Sequence, residues 1–410
     1  MREEGVSLRI VGVLLVVAVI AAGIYWFTRP PEGPTIDVLV WHSFLDDEEK
    51  IATDAIATSF KQMYPDINID FKETMDLRTK LLAAVPAGKG PDVFTYAHDW
   101  TGEFAVADYI LSLDEFLTPG LMEKFTSEAV EACTYDGKIW ALPFAGETVA
   151  LVYNKAMVDE PPETMDELIA AMEEAEAKGI NYGIAYQIDP YFVSAWIHAF
   201  GGWYWSDETK TVGINSEGTI NGLKYLIETF KPYMAVDPTG TVQTGLFLEK
   251  MTPFFVTGPW SIPSIEAAGI EYGVVPLPKI TEIDKWPEPF TGVKVMWIAN
   301  AAKNKENAFA FVEWFTTDLD HILERAKEAS FIPVLKEALE VDEIATDPFI
   351  SGFTEAMELG RPMPRGPEMM LTWGPFSDAL LELWMDPEKL EALLDEAQAT
   401  AEARIAEVYG

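Results

Sequence analysis

Gly90-Pro91-Asp92-Val93-Phe94-Thr95-Tyr96-Ala97-His98-Asp99-Trp100 is the stretch from which the fold is read. Gly-Pro breaks a preceding helix and fixes the angle at which the chain enters the next segment. Val93 and Phe94 have the β-branched and aromatic character of a central strand. Tyr96, His98, Asp99 and Trp100 then fall at the strand's carboxyl end, the edge of an open α/β sheet at which ligands bind. Rings beside a carboxylate suit a polyhydroxylated ligand: the rings cover its C–H faces and the carboxylate accepts from its hydroxyls. The same residues also make an ordinary strand-to-helix corner, with Asp99 as an N-cap and the rings as packing.

The neighbouring segments alternate strand and helix. Ile36–Trp41 reads as a buried strand leading into His42 and Ser43. Asp46, Asp47, Glu48 and Glu49 load the N-terminus of a helix, as its dipole favours, and that helix runs to about Tyr64 before Pro65. Ile67–Phe71 is a second strand, Leu77–Val85 a short helix, and the opening stretch the third strand. This βαβαβ order predicts a parallel sheet covered by helices. A turn at Tyr135-Asp136-Gly137-Lys138 leads to Ile139–Phe144, then Glu147, then a strand over Val149–Tyr153. A crossover into a second domain is placed near 145–150. That domain carries helices at 164–178, 191–200, 216–230 and 243–250, and strands at 251–256 and 272–276. A Pro-containing loop over 281–292 precedes a strand at 293–299, and from 303 the chain reads as mainly helical.

At 410 residues the chain is too long for one ordinary core. A net charge of −38 without a basic arm or stripe repels phosphates and argues against nucleic-acid binding. It favours solubility and weak self-association, hence a monomer. Cys133, the single cysteine, allows no intrachain disulfide and reads as a small buried apolar residue. The four histidines, His42, His98, His198 and His321, show no metal-ligand spacing, so no metal and no cofactor are expected.

Ile10–Phe27 is an 18-residue run without a charge, bounded by Arg9 and Arg29. Residues 1–28 are read as a membrane anchor, long enough to span a bilayer. A cleaved signal is the alternative, because Ala21-Ala22-Gly23 offers small residues after the apolar run. Either reading places the remainder outside the cytoplasm, and residues 29–35, rich in proline, form a stiff spacer.

Aromatics recur after strands or turns, at Trp41, Tyr96, Trp100, Tyr191, Trp260 and Trp373, rather than at core periodicity. Singly each reads as corner packing; together they predict a ring-lined cleft. Asp99 and Glu147 occupy the same kind of position. As a pair they serve either as acceptors for sugar hydroxyls or as the acid and nucleophile of a secreted glycosidase. No G-x-S-x-G, phosphate-binding loop or dinucleotide fingerprint is present.

Several ordered segments together resemble an extracellular solute-binding protein of an ABC importer, specifically the maltose/maltodextrin-binding group in its archaeal form. They are GPDVFTYAHDW (90–100), YDGKIWALPFAGETVALVYNK (135–155), DPYF (189–192), VTGPWSIPSI (256–265), YGVVPLPKI (272–280), PMPRGPEM (362–369) and Trp373. The resemblance covers Ile36 to the C-terminus. It implies a two-lobed α/β fold of the type II periplasmic-binding kind, each lobe a mainly parallel sheet flanked by helices, hinged between lobes. The lobes implied are 36–145 with 293–343, and 146–292 with 344–410. It implies closure on a maltose- or maltodextrin-type oligosaccharide, delivery to an ABC permease, and no enzymatic activity. The ligand-binding residues carried over are Trp41, His42, Ser43, Asp47 (with Asp46 as the alternative in the same loop), Tyr96, Asp99, Trp100, Glu147, Asp189, Tyr191, Trp260 and Trp373. Asp189 stands where glutamate is more usual, Trp100 where a bacterial member has arginine, and Gly374 where a second aromatic is common.

Overall fold

Alternation along Val38–His42 (β1) turns Val38, Val40 and His42 inward and leaves Leu39 and Trp41 half-buried on the other face. The computed structural model describes residues 37–44 and 46–410, with the side chains of Asp46 and Asp47 outside the description. The expected anchor and spacer at 1–35 therefore lie outside the described residues. Among those described, no helix is long and apolar enough to cross a membrane.

β1 pairs in parallel with β2 (Ile69–Glu73) and β3 (Val93–Ala97), as the βαβαβ pattern predicts. The first helix runs Asp46–Ala55 and continues through a π-turn at Ile56–Phe60 and a last turn at Lys61–Met63, ahead of Pro65. Further along comes a tight hairpin, β4 (Thr134–Tyr135) with β5 (Lys138–Ile139). Asp136 and Gly137 between them both have positive φ, 48° and 72°, the left-handed pair that suits a two-residue turn.

β6 (Ala141–Glu147) still belongs to the first sheet, and β7 (Ala150–Asn154) already belongs to the second. Only Thr148 and Val149 join them, both fully buried, with the Thr148 hydroxyl donating to the Phe290 carbonyl at 2.9 Å. The second lobe adds β8 (Ile184–Tyr186), the small pair β9 (Trp205–Ser206) and β10 (Thr211–Val212), then β11 (Phe254–Thr257) and β12 (Tyr272–Val275). The chain returns along β13 (Phe290–Ile298), which starts three residues earlier than the sequence suggests, and later contributes β14 (Arg361–Pro362).

The first sheet has the order β14–β13–β3–β1–β2, with β6 also on β13. Three of its pairings are parallel, while β13 runs antiparallel to β3 and β6. The second sheet, β12–β7–β11–β8, departs from the expected parallel arrangement: only β11 with β8 is parallel. The reason is connectivity, because β7 enters from the other lobe and lies between two later strands that run against it. Helices cover both faces of this sheet. On β7 and β11, Leu151, Phe254 and Val256 pack into one core while Ala150, Val152 and Phe255 pack into another. A third core, around Val40, Phe94, Phe104 and Trp297, holds the first lobe.

Candidate ligand cleft

The two lobes face each other across a cleft of about 770 Å³, within the size range of small-molecule sites. Tyr96 is the next-to-last residue of β3, and Asp99 and Trp100 sit on the single 3₁₀ turn just after it, His98–Trp100. Tyr96, at 42% exposure, stacks on the buried Trp100 with ring centroids 4.1 Å apart and planes 17° off parallel. The stack continues inward to Trp297, whose ring lies 6.3 Å from Trp100 and 4° off parallel. One end is thus fixed in the core, and the face of Tyr96 is left for the cleft.

Opposite, Tyr191 lies in the first turn of the helix Pro190–Ala199, and Trp260 on the short 3₁₀ turn after β11. Their rings sit 6.2 Å apart and tilted by 56°. Trp373, in the first turn of the helix Met370–Met385, is braced by Tyr204 and Phe290 at 6.0 and 5.9 Å. Gly258 makes room for Trp260: a Cβ there would lie 2.2 Å from the indole ring.

Two carboxylates line the same cleft. Asp99 is 6% exposed, and burial together with the charge of Glu147 pushes it up to about 7. Its Oδ1 has no hydrogen-bond partner among the described residues, and neither has the Tyr191 hydroxyl. The side chain caps neither the 3₁₀ turn nor the helix Thr101–Val106, so the corner reading of Asp99 is not what the fold adopts. Glu147 is 9% exposed; burial raises its pKa, and Lys294 nearby pulls it back. Ser43 is exposed on the rim.

Three of the carried-over residues stand elsewhere or do other work. His42 is fully buried, stacked on Phe71 at 4.1 Å, with Nδ1 accepting from the Phe44 N–H at 3.2 Å; burial lowers its pKa to about 4. Trp41 packs half-buried against the first core and does not line the cleft. Asp189 lines it, but Oδ1 accepts from the N–H groups of Tyr191 and Phe192 as a helix N-cap, and Oδ2 accepts from Gln187. Asp47 falls on a side chain outside the described residues.

The structure also adds lining residues that the sequence did not offer. Arg78 donates through Nη2 to both oxygens of Glu103, at 2.8 and 2.7 Å. Lys294, Glu48, Thr95 and Met363 reach the cleft as well. Long basic side chains on a helix and a strand carry no local signal of facing a site. Among the described residues no cluster of histidine, cysteine and carboxylates is placed to hold a metal.

Two lobes, crossing strands and an aromatic cleft with paired carboxylates define a solute-binding protein. The chain belongs to the bacterial extracellular solute-binding protein family, whose model matches residues 55–351. It is 43% identical to the maltotriose-binding protein of Pyrococcus abyssi, over 90% of this chain and 83% of that one. It is 27% identical to the galactooligosaccharide-binding protein of Bacillus subtilis, over 90% and 89% respectively. Among solved structures it superposes on the Thermus thermophilus maltotriose-binding protein bound with maltotriose. The TM-score is 0.81, with 26% identity, covering 90% of this chain and all of that one.

Proposed function

We propose that this protein is an extracytoplasmic receptor that captures maltodextrin-type oligosaccharides and hands them to an ABC permease. The observation that carries the reading is the cleft itself, with Asp99 Oδ1 and the Tyr191 hydroxyl buried and unpartnered between rings from opposite lobes. Buried polar atoms without partners are costly, and sugar hydroxyls supply the partners. Tyr96, Trp260 and Trp373 stack on the sugar faces, while Asp99 and Glu147 fix its hydroxyls through charge-assisted hydrogen bonds. Trp100 acts through Tyr96, and Ser43 contacts from the rim.

The two lobes rotate about the segments joining them, Thr148-Val149 between β6 and β7 among them. A ligand that touches both lobes only when they are closed shifts the population to the closed form. The permease reads that form. Residues 1–28 tether the receptor, as a monomer, to the membrane surface, and 29–35 hold it clear.

Calorimetry with maltotriose tests this directly. Saturable binding is expected, weakened roughly ten- to hundredfold by Trp260→Ala and by Trp373→Ala, the equivalent of about 1–3 kcal/mol each. Unchanged affinity in both variants overturns the site assignment. Reducing ends that accumulate steadily in a maltodextrin incubation would favour a glycosidase instead; none are expected. Galactooligosaccharides in the same titration separate the maltodextrin class from the other sugar class represented among the relatives.

A further inference from the structure

A second cavity, of about 680 Å³, lies behind the crossing strands. Strand alternation along β13 sets the two cavities back to back, with Lys294 lining the cleft and Val293 the second cavity. On the 3₁₀ turn after β3, Asp99 lines the cleft and His98 the second cavity. Met363 belongs to both walls. Both lobes contribute, through Glu128 and Glu131 on one side and Asp207 and Glu208 on the other.

Its chemistry differs from that of the cleft. The floor is aliphatic, built from Ile332, Val334, Leu339 and Met357. Among the described residues, Arg365 is the one lysine or arginine in the lining, and its charge is spent. Its guanidinium donates to Glu131 Oε1 at 3.0 Å, to the Thr134 carbonyl at 3.1 Å and to the Glu131 carbonyl. Asp207 is equally occupied, accepting from the N–H groups of Arg365 and Gly366 and from the Trp205 indole. His98 is buried, and its Nδ1 accepts from the Val293 N–H at 3.0 Å. That leaves Glu128, Glu208 and Glu358 around an apolar floor, in no ion pair among the described residues.

We propose that this hinge-side cavity is a second ligand site, which takes a small organic cation with an apolar body. The charged end meets the carboxylates at the mouth and the body lies on the Ile332–Met357 floor. Three carboxylates outside any ion pair among the described residues disfavour an anion, and the lining described holds no phenylalanine, tyrosine or tryptophan on which a sugar could stack. The chain's −38 charge draws every cation weakly to the surface. The floor is what distinguishes an amphiphilic cation from a simple one.

The probe is 4-aminobenzamidine, an aromatic amidine whose fluorescence rises in apolar surroundings, titrated into the full chain without sugar. Saturable one-site binding is expected, with benzoate and neutral benzamide binding at least tenfold more weakly. The surface double variant Glu128→Gln/Glu358→Gln weakens the amidine several-fold without touching the core. Met357→Arg, which fills the floor with a fixed cation, weakens it roughly tenfold or more, while Trp373→Ala in the cleft leaves it unchanged. The proposal is overturned by non-saturable binding, by equal binding of benzoate or benzamide, or by an amidine signal lost in Trp373→Ala and retained in the glutamate double variant.

Discussion

Lys294 Nζ stands 3.9 Å from Glu147 Oε2, on strands that run antiparallel side by side. The lysine counteracts the burial that raises Glu147, and so keeps that carboxylate available as a charged acceptor. Lys294→Met removes the counterweight, and Glu147 then titrates at higher pH. Maltotriose affinity should fall modestly at pH 8 and more steeply toward pH 5 than in the unaltered protein. Calorimetry at both values reads the difference; parallel pH profiles would rule out this role for Lys294.

Asp99 carries a stability signature of its own. Its folded pKa of about 7 lies above the unfolded value of 3.8, so the folded state holds the extra proton between the two. That contribution is fully present below about pH 4 and is lost as pH rises through about 7. Asp99→Asn, which cannot ionise, should therefore melt above the parent at pH 8 and close to it at pH 4. At pH 8 the difference has an upper scale on the order of 4 kcal/mol. Melting curves across the range give the comparison, and a constant offset would remove Asp99 as the source.

Gly258 positions Trp260 by having no side chain. Its φ of −104° suits any residue, so Gly258→Ala strains no backbone and acts only on the indole that lies over it. Sugar affinity should drop severalfold with little change in melting temperature. Calorimetry with a melting curve on the same sample separates this from simple destabilisation.

The Tyr96–Trp100–Trp297 stack predicts two different failures from one array. Trp297→Ala hollows the first core, where the indole is fully buried and its Nε1 donates to Thr101 Oγ1 at 3.2 Å. A loss of about 3–5 kcal/mol in stability is expected. Tyr96→Ala, at the exposed end, should weaken maltotriose binding and leave denaturation close to that of the parent. Urea curves beside titrations settle whether the two ends behave as assigned.

Legibility in the chain depends on the range of the signal. Tyr96, Tyr191, Trp260 and Trp373 each come after a local break, so residue type and position were enough to gather them. Asp189 was carried over as a ligand contact although its local sequence says otherwise: aspartate before a proline at the first helical position is a cap signature, and the carboxylate caps. His42 was misplaced although its strand held the answer, since it shares the inward face with Val38 and Val40. Arg78 and Lys294 were missed because their place in the cleft is set by the packing of segments far apart in sequence. The strand directions of the second sheet were illegible for the same reason: which strands flank β7 is decided by pairing, not by any residue within it.

The two-residue link between β6 and β7 has a mechanical consequence. Two extended residues span only about 7 Å, too little slack for one lobe to slide across the other. With Thr148 pinned to the Phe290 carbonyl, two neighbouring strands are clamped at the same point. The link is an inextensible pivot, and the freedom that remains is angular. Glu147, the residue next to that pivot, is nearer to it along the chain than any other group lining the cleft.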